Sequence, residues 1–172
     1  MTHKASLPQL QTKRLQLRWL TEDDAGLMLA IWNDPAFIRY VGDREIRTLE
    51  EAATAMREGV LRLYQEHGYG PYRLALHGSD EAMGICGLFK RENLEFPDIG
   101  YALLPAFCGG GFAFEAAEAV QMHALEHMGL PQLYAIVSPD NARSVHLLEK
   151  LGMSAGELIR MPGDDEDVAL YR

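Results

Sequence analysis

Three adjacent glycines, Gly109-Gly110-Gly111, separate an apolar run that stops at Pro105 from a helical stripe of Ala113, Ala116, Ala117, Val120 and Ala124. A strand, a turn without side chains and a helix start expose several backbone N–H groups at the positive end of a helix. That is a ready anion site, most often for phosphate. Three glycines in a row are costly in a purely structural turn, because each loses backbone entropy on folding. An ordinary tight strand-to-helix turn is the competing reading. A second constellation opens the segment Asn141 to Met153: an Asn cap, a Val145/Leu148/Leu151 core face and a stop at Gly152 make an amphipathic helix. What Asn141 and Ser144 face from its first turn is the open question.

His123-Ala124-Leu125-Glu126-His127 matches the H-x-x-E-H zinc pattern, the mark of a hydrolase, but zinc needs a third ligand from elsewhere. Helical geometry sets His127 beside the alanine stripe, as a packed or capping histidine, and no metal is expected. Cys108 precedes a helix start, where thiol pKa falls. With no partner His or Asp at a recognisable spacing, it reads as a structural or cofactor-touching cysteine rather than a nucleophile. No Gly-Lys-Ser/Thr follows Gly111, which sets aside a nucleotidase phosphate loop.

The elements that must position these residues follow from periodicity. Leu15 to Leu20 alternates as a strand. Thr21-Glu22-Asp23-Asp24 caps a helix with Leu27, Ala30 and Ile31 on one face, and Asn33-Asp34-Pro35 stops it and starts a short second one. A capping box at Thr48–Glu51 opens a third helix, with Ala53, Met56, Val60 and Leu63 inward, that runs to Gly68. Strands are expected at about 72–77, 83–90 and 99–104, then the glycine turn and a helix to about Met128. Leu133 to Val137 is continuously apolar, a strand buried on both faces, and strand, helix and strand in this order make a right-handed parallel crossover. Strands at about 153–160 and 168–171 close the chain around an acidic turn. The reading is one domain over residues 1–172, a mixed α/β sheet with its ligand cleft beyond the parallel pair.

The 172 residues carry a formal net charge of −9, which argues against nucleic-acid binding and suits a cationic partner as well as simple solubility. No apolar run is long enough to cross a bilayer, Met1 to Ser6 lacks the apolar core of a secretion signal, and two cysteines suggest no disulfide framework. A cytoplasmic protein without membrane partner is expected, a monomer or homodimer.

Read together, these segments resemble the GNAT superfamily of acetyl-CoA-dependent N-acetyltransferases, in the branch typified by ribosomal-protein Nα-acetyltransferases (RimJ/RimL-like). The resemblance rests on Leu10-x-Thr12-x-Arg14-Leu15-x-Leu17-Arg18 with Glu22-Asp23-Asp24, Asn33-Asp34-Pro35, Tyr40-Val41-Gly42, Ile99-Gly100-Tyr101, Gly109-x-Gly111-Phe112-Ala113-x-Glu115-Ala116, Asn141-x-x-Ser144 and Lys150-Leu151-Gly152-Met153. It implies a mostly antiparallel twisted sheet, a central parallel pair splayed to form the cofactor cleft, and helices on both faces. It implies coenzyme A as co-substrate: pyrophosphate on the backbone of Gly109, Gly110, Gly111, Phe112, Ala113 and Phe114, with Cys108 touching the cofactor, and the pantetheine arm along Ala102, Leu103 and Leu104 with Asn141. Ser144 would lie near the sulfur as the catalytic acid, because Leu148 stands where many members carry a tyrosine. Arg143 and Lys150 would balance phosphate charge, since Cys108 and Gly110 replace residues that are often polar or basic. Backbone N–H groups near Ala102–Leu103 would stabilise the oxyanion of direct amine attack. Asp98, Glu95 and the Asp164–Asp167 cluster are the candidate bases. The acceptor would be a peptide N-terminus or small-molecule amine. The alternative is a coenzyme A-binding sensor without turnover.

Overall fold

The alternation in Leu15-Gln16-Leu17-Arg18-Trp19 forms a strand because Leu15 and Leu17 are both fully buried on one face. The structure, a computed structural model, describes residues 8–172. Its strands are β1 (Gln9–Gln11), β2 (Leu15–Trp19), β3 (Pro71–Leu76), β4 (Gly84–Phe89), β5 (Asp98–Leu103), β6 (Ala135–Val137), β7 (Ala155–Arg160) and β8 (Asp167–Tyr171). The helices are α1 (Ala25–Trp32), α2 (Pro35–Tyr40), α3 (Leu49–Glu58), α4 (Val60–His67), α5 (Phe112–Met122) and α6 (Ala142–Lys150). Strands β1 to β5 form one antiparallel sheet in chain order, and β6-β8-β7 form a second, also antiparallel.

The expected parallel strand pair is therefore not formed as a ladder. The two sheets meet at a single parallel bridge, Asp98 with Tyr134. There the Ile99 N–H donates to Tyr134 O at 2.8 Å and the Tyr134 N–H to Pro97 O at 2.9 Å. Beyond it β5 pairs only with β4 and β6 only with β8, so one edge of β5 carries no strand.

Helices cover both faces of the larger sheet. On one, Leu15, Leu17, Leu74, Cys86 and Leu88 pack with Ala116, Ala117, Val120 and Ala124 of α5 and the adjoining turn, and with Leu148 of α6. On the other, Ile85 packs with Met28, Ile31 and Trp32 of α1 and Ala52 and Met56 of α3. The inward face of α1 is Ala25, Met28, Ile31 and Trp32, while Ala30 is exposed. The long third helix is two helices, α3 and α4, broken at Gly59, whose backbone (φ −115°, ψ −92°) is not helical; a glycine loses most by being fixed in a helix. Both capping bonds expected at Thr48 and Glu51 are present, at 3.1 and 3.0 Å. Strand β1 is an addition that no alternation marked. The stretch His123–His127 ends α5 as a π-helical turn. There His127 is exposed and stacks on His123 at 5.5 Å, so it is not packed against the alanine stripe. Among the described residues no group of three side chains could hold a metal ion, and no helix is long and apolar enough to cross a membrane.

Candidate active site

The glycine turn does what its sequence requires. Gly109 and Gly111 sit at φ +88° and +78°, the left-handed region that costs glycine nothing. They bend the chain from the end of β5 into α5. The first turn-to-helix bond is Glu115 N–H to Gly111 O. The N–H groups of Gly109, Gly110, Gly111, Phe112, Ala113 and Phe114 thus have no acceptor among the described residues, and they open at a helix N-terminus. Cys108 is exposed beside them, with Sγ 3.7 Å from Leu104 O.

Two cations bracket the turn. Arg14, at the start of β2, donates from Nη1 to Gly110 O (2.9 Å) and lies 4.2 Å over the Phe112 ring. Glu115 fixes it: the carboxylate accepts from Arg14 Nε at 2.6 Å, from the Arg14 backbone N–H at 2.8 Å and from Thr12 Oγ1 at 2.6 Å. Partial burial pushes the Glu115 pKa up, but these bonds outweigh it and hold the carboxyl below its usual value. From the other side Lys150 Nζ stands 4.0 Å over the Phe114 ring. Arg143 is exposed. Gly110 has a steric reason of its own, since a Cβ there would come within 2.7 Å of the Phe112 ring.

Strand alternation decides which part of β5 is open. The Leu104 N–H donates to Met83 O at the β4 side, and a Cβ at Gly84 would collide with Ala102 O. Even-numbered residues therefore face β4, while Ile99 and, by the same period of two, Tyr101 and Leu103 face the open edge. The amides of Ala102 and Leu104 thus point at β4, and those of Tyr101 and Leu103 do not.

Across the open edge lies α6. Asn141 caps it through Oδ1, which accepts the Ser144 N–H at 3.3 Å, and its Nδ2 has no acceptor among the described residues. Ser144 is half-buried, and the Tyr101 hydroxyl reaches its carbonyl at 3.4 Å. Burial pushes the Tyr101 hydroxyl up to about 12. Leu148, at 2% exposure, is buried in the core.

Of the three candidate bases, Asp98 stands at the bridge between the sheets and Glu95 is exposed. Asp167 is tied to Arg160 at 2.8 Å on the far hairpin. Asp98 is 1% exposed; burial raises its pKa, and Arg91 at 3.0 Å opposes the rise. It has no room for an amine and serves as the anchor of Arg91.

Residues 14–154 match the family model described as the acetyltransferase (GNAT) domain. The chain belongs to the GNAT acetyltransferase family. It is 29% identical to the uncharacterized N-acetyltransferase YoaA of Bacillus subtilis (strain 168), over 89% of this chain and 86% of that protein. Its fold matches an acetyltransferase from Agrobacterium tumefaciens with a TM-score of 0.82 at 26% identity, over 100% of this chain and 98% of the other. RimL, a ribosomal L7/L12 alpha-N-protein acetyltransferase solved with coenzyme A, shares the fold at 19% identity and TM-score 0.80, over 95% and 96%. As a GNAT enzyme the protein is an N-acetyltransferase. Arg14 is the residue at the glycine turn that sequence reasoning missed. It stood in a quoted motif, but nothing local linked it to a turn about a hundred residues later.

Proposed function

We propose that this GNAT enzyme uses acetyl-CoA as co-substrate and acetylates a primary amine, either a peptide N-terminus or a small-molecule amine. The observation that carries the reading is the run of free amides from Gly109 to Phe114, set between Arg14 and Lys150 at the end of an unpaired strand edge. These residues fit the coenzyme. The amides and two cations suit a pyrophosphate, the edge of Tyr101 and Leu103 suits the amide-bearing pantetheine arm, and Asn141 Nδ2 offers it one further donor. When bound, acetyl-CoA supplies the thioester carbonyl that a neutral amine attacks. The Tyr101 and Leu103 amides on the open edge are the donors available to the developing oxyanion, and the Ser144 hydroxyl gives its proton to the departing sulfur and takes up the one released by the attacking nitrogen. Asp98 is buried against Arg91 and closed to an amine. An α-amino group or another amine of low pKa therefore suits the site better than a lysine, of which only about one in a few thousand is neutral at pH 7.

A thiol-release screen with acetyl-CoA against peptides, polyamines, amino acids and aminoglycosides tests the reading. Ser144→Ala is expected to lower kcat about 100-fold while calorimetric affinity for coenzyme A stays within about twofold, well under the 1.4 kcal/mol of a tenfold change. Unchanged turnover would remove Ser144 from the mechanism. Binding of coenzyme A with no release to any amine would make the protein a sensor.

A further inference from the structure

We propose that the acceptor amine carries a carboxylate, and that Arg44 of the segment between α2 and α3 receives it; this rests on the acetyltransferase reading above and names its substrate class. The Arg44 guanidinium lies 5.7 Å from the Trp32 ring centroid and 6.0 Å from that of Phe37. It is solvent-exposed, yet the surrounding protein lowers its pKa, and the nearby Arg91 guanidinium lowers it further. No carboxylate pairs with it among the described residues. Set over two aromatic rings, its guanidinium keeps donors free that an incoming carboxylate can take as a bidentate pair.

The segment is built to hold Arg44 there. Asp43 accepts the Glu45 N–H at 2.8 Å and pairs with Arg47 at 2.6 Å. Arg47 also donates to Asn33 Oδ1 at 2.8 Å, and Asn33 Nδ2 donates to Ile46 O at 2.8 Å. Asp43 is thereby spent on the frame and does not neutralise Arg44. Glu45, the next residue, takes φ +57°, the only non-glycine among the described residues with positive φ. Such strain persists only where the surroundings enforce it.

The place is right for an acceptor. Trp32 and Phe37 belong to the cluster that includes Ile85, Phe89 and Ala102, on the α1/α3 face of β5, opposite α5 and α6. Arg91 is tied to Asp98, where the open edge of β5 begins. Arg91 therefore marks the start of that edge, and Arg44 lies over Trp32 and Phe37 of the cluster on the α1/α3 face. A guanidinium without a carboxylate partner at that place selects against polyamines.

The test is acetyl transfer, at saturating acetyl-CoA, to matched amines that differ by carboxylate against carboxamide: free amino acids against their amides, and dipeptides with Asp or Glu against Asn or Gln. The wild-type kcat/KM is expected to favour the carboxylate member by about 10- to 100-fold, the range of a hydrogen bond to a charged group. Arg44→Gln should collapse that ratio toward one, mainly through KM, and Arg44→Lys should restore part of it. Coenzyme A calorimetry on the same proteins separates the two levels of inference. Bound coenzyme A with transfer only to neutral or cationic amines, with no transfer to any carboxylated amine, or with a ratio that Arg44→Gln leaves intact, overturns the carboxylate proposal alone. Absence of coenzyme A binding overturns the acetyltransferase reading beneath it.

Discussion

Arg14 and Glu115 show at the residue scale how a site lacking its own basic side chain borrows one. A residue at position 110 with a Cβ would strike Phe112, so the charge comes from Arg14, just before β2, and is held by a carboxylate in the first turn of α5. Glu115 has its pKa lowered in the folded state, so its contribution is complete above the ordinary value of 4.5 and is lost as pH falls through the folded pKa. Glu115→Gln is thus expected to cost about 1–3 kcal/mol near pH 7. Its stability deficit against the wild type should shrink as the pH drops below 4.5. Urea midpoints at pH 7 and pH 3.5, about one unit below the ordinary value of 4.5, read this; an equal deficit at both would sever Glu115 from the clamp. Weaker coenzyme A binding by Glu115→Gln is the functional counterpart, because a loosened guanidinium no longer faces the turn.

The turn and the strand that feeds it set the element scale. Gly110→Ala displaces the Phe112 ring on which Arg14 lies, while leaving Gly109 and Gly111 free to hold their positive φ. It is expected to weaken coenzyme A binding about tenfold, or 1.4 kcal/mol, with a much smaller effect on the melting temperature. Calorimetry paired with a thermal scan reads the difference; a large drop in Tm with unchanged affinity would make Gly110 a folding residue only. The break at Gly59 and the open edge of β5 belong to the same scale. Each is a place where backbone geometry, rather than side-chain pattern, decided where an element stops.

For the whole molecule, one core joins the two sheets. Leu148 of α6 is buried in a cluster that includes Leu15, Leu17 and Leu74 of the larger sheet and Val137, Ala169 and Tyr171 of the smaller. Strand pairing between them amounts to one bridge, so packing carries the coupling. Leu148→Ala should cost about 2–5 kcal/mol and still unfold in one transition by circular dichroism and tryptophan fluorescence alike. Separate transitions would show that the coupling hangs on Leu148 alone rather than on the core as a whole.

Much of this protein was written locally. The three glycines, the Thr48–Glu51 capping box, the Asn141 cap and the alternation of β2 are short-range signals, because cap bonds, φ preferences and period-two burial involve residues only a few positions apart. The family resemblance followed from their order along the chain. What lay beyond the sequence was every relation between distant segments. Arg14 meets the glycine turn, Arg44 meets Trp32 without an anion, and β5 and β6 touch at one bridge instead of forming a ladder. The same holds for which residues of β5 turn their amides outward, since that depends on the register with β4 and not on the residues themselves. Local chemistry was fixed by covalent neighbours, whereas the charge and the open edge of the cleft were decided by packing between segments that only the folded chain brings together.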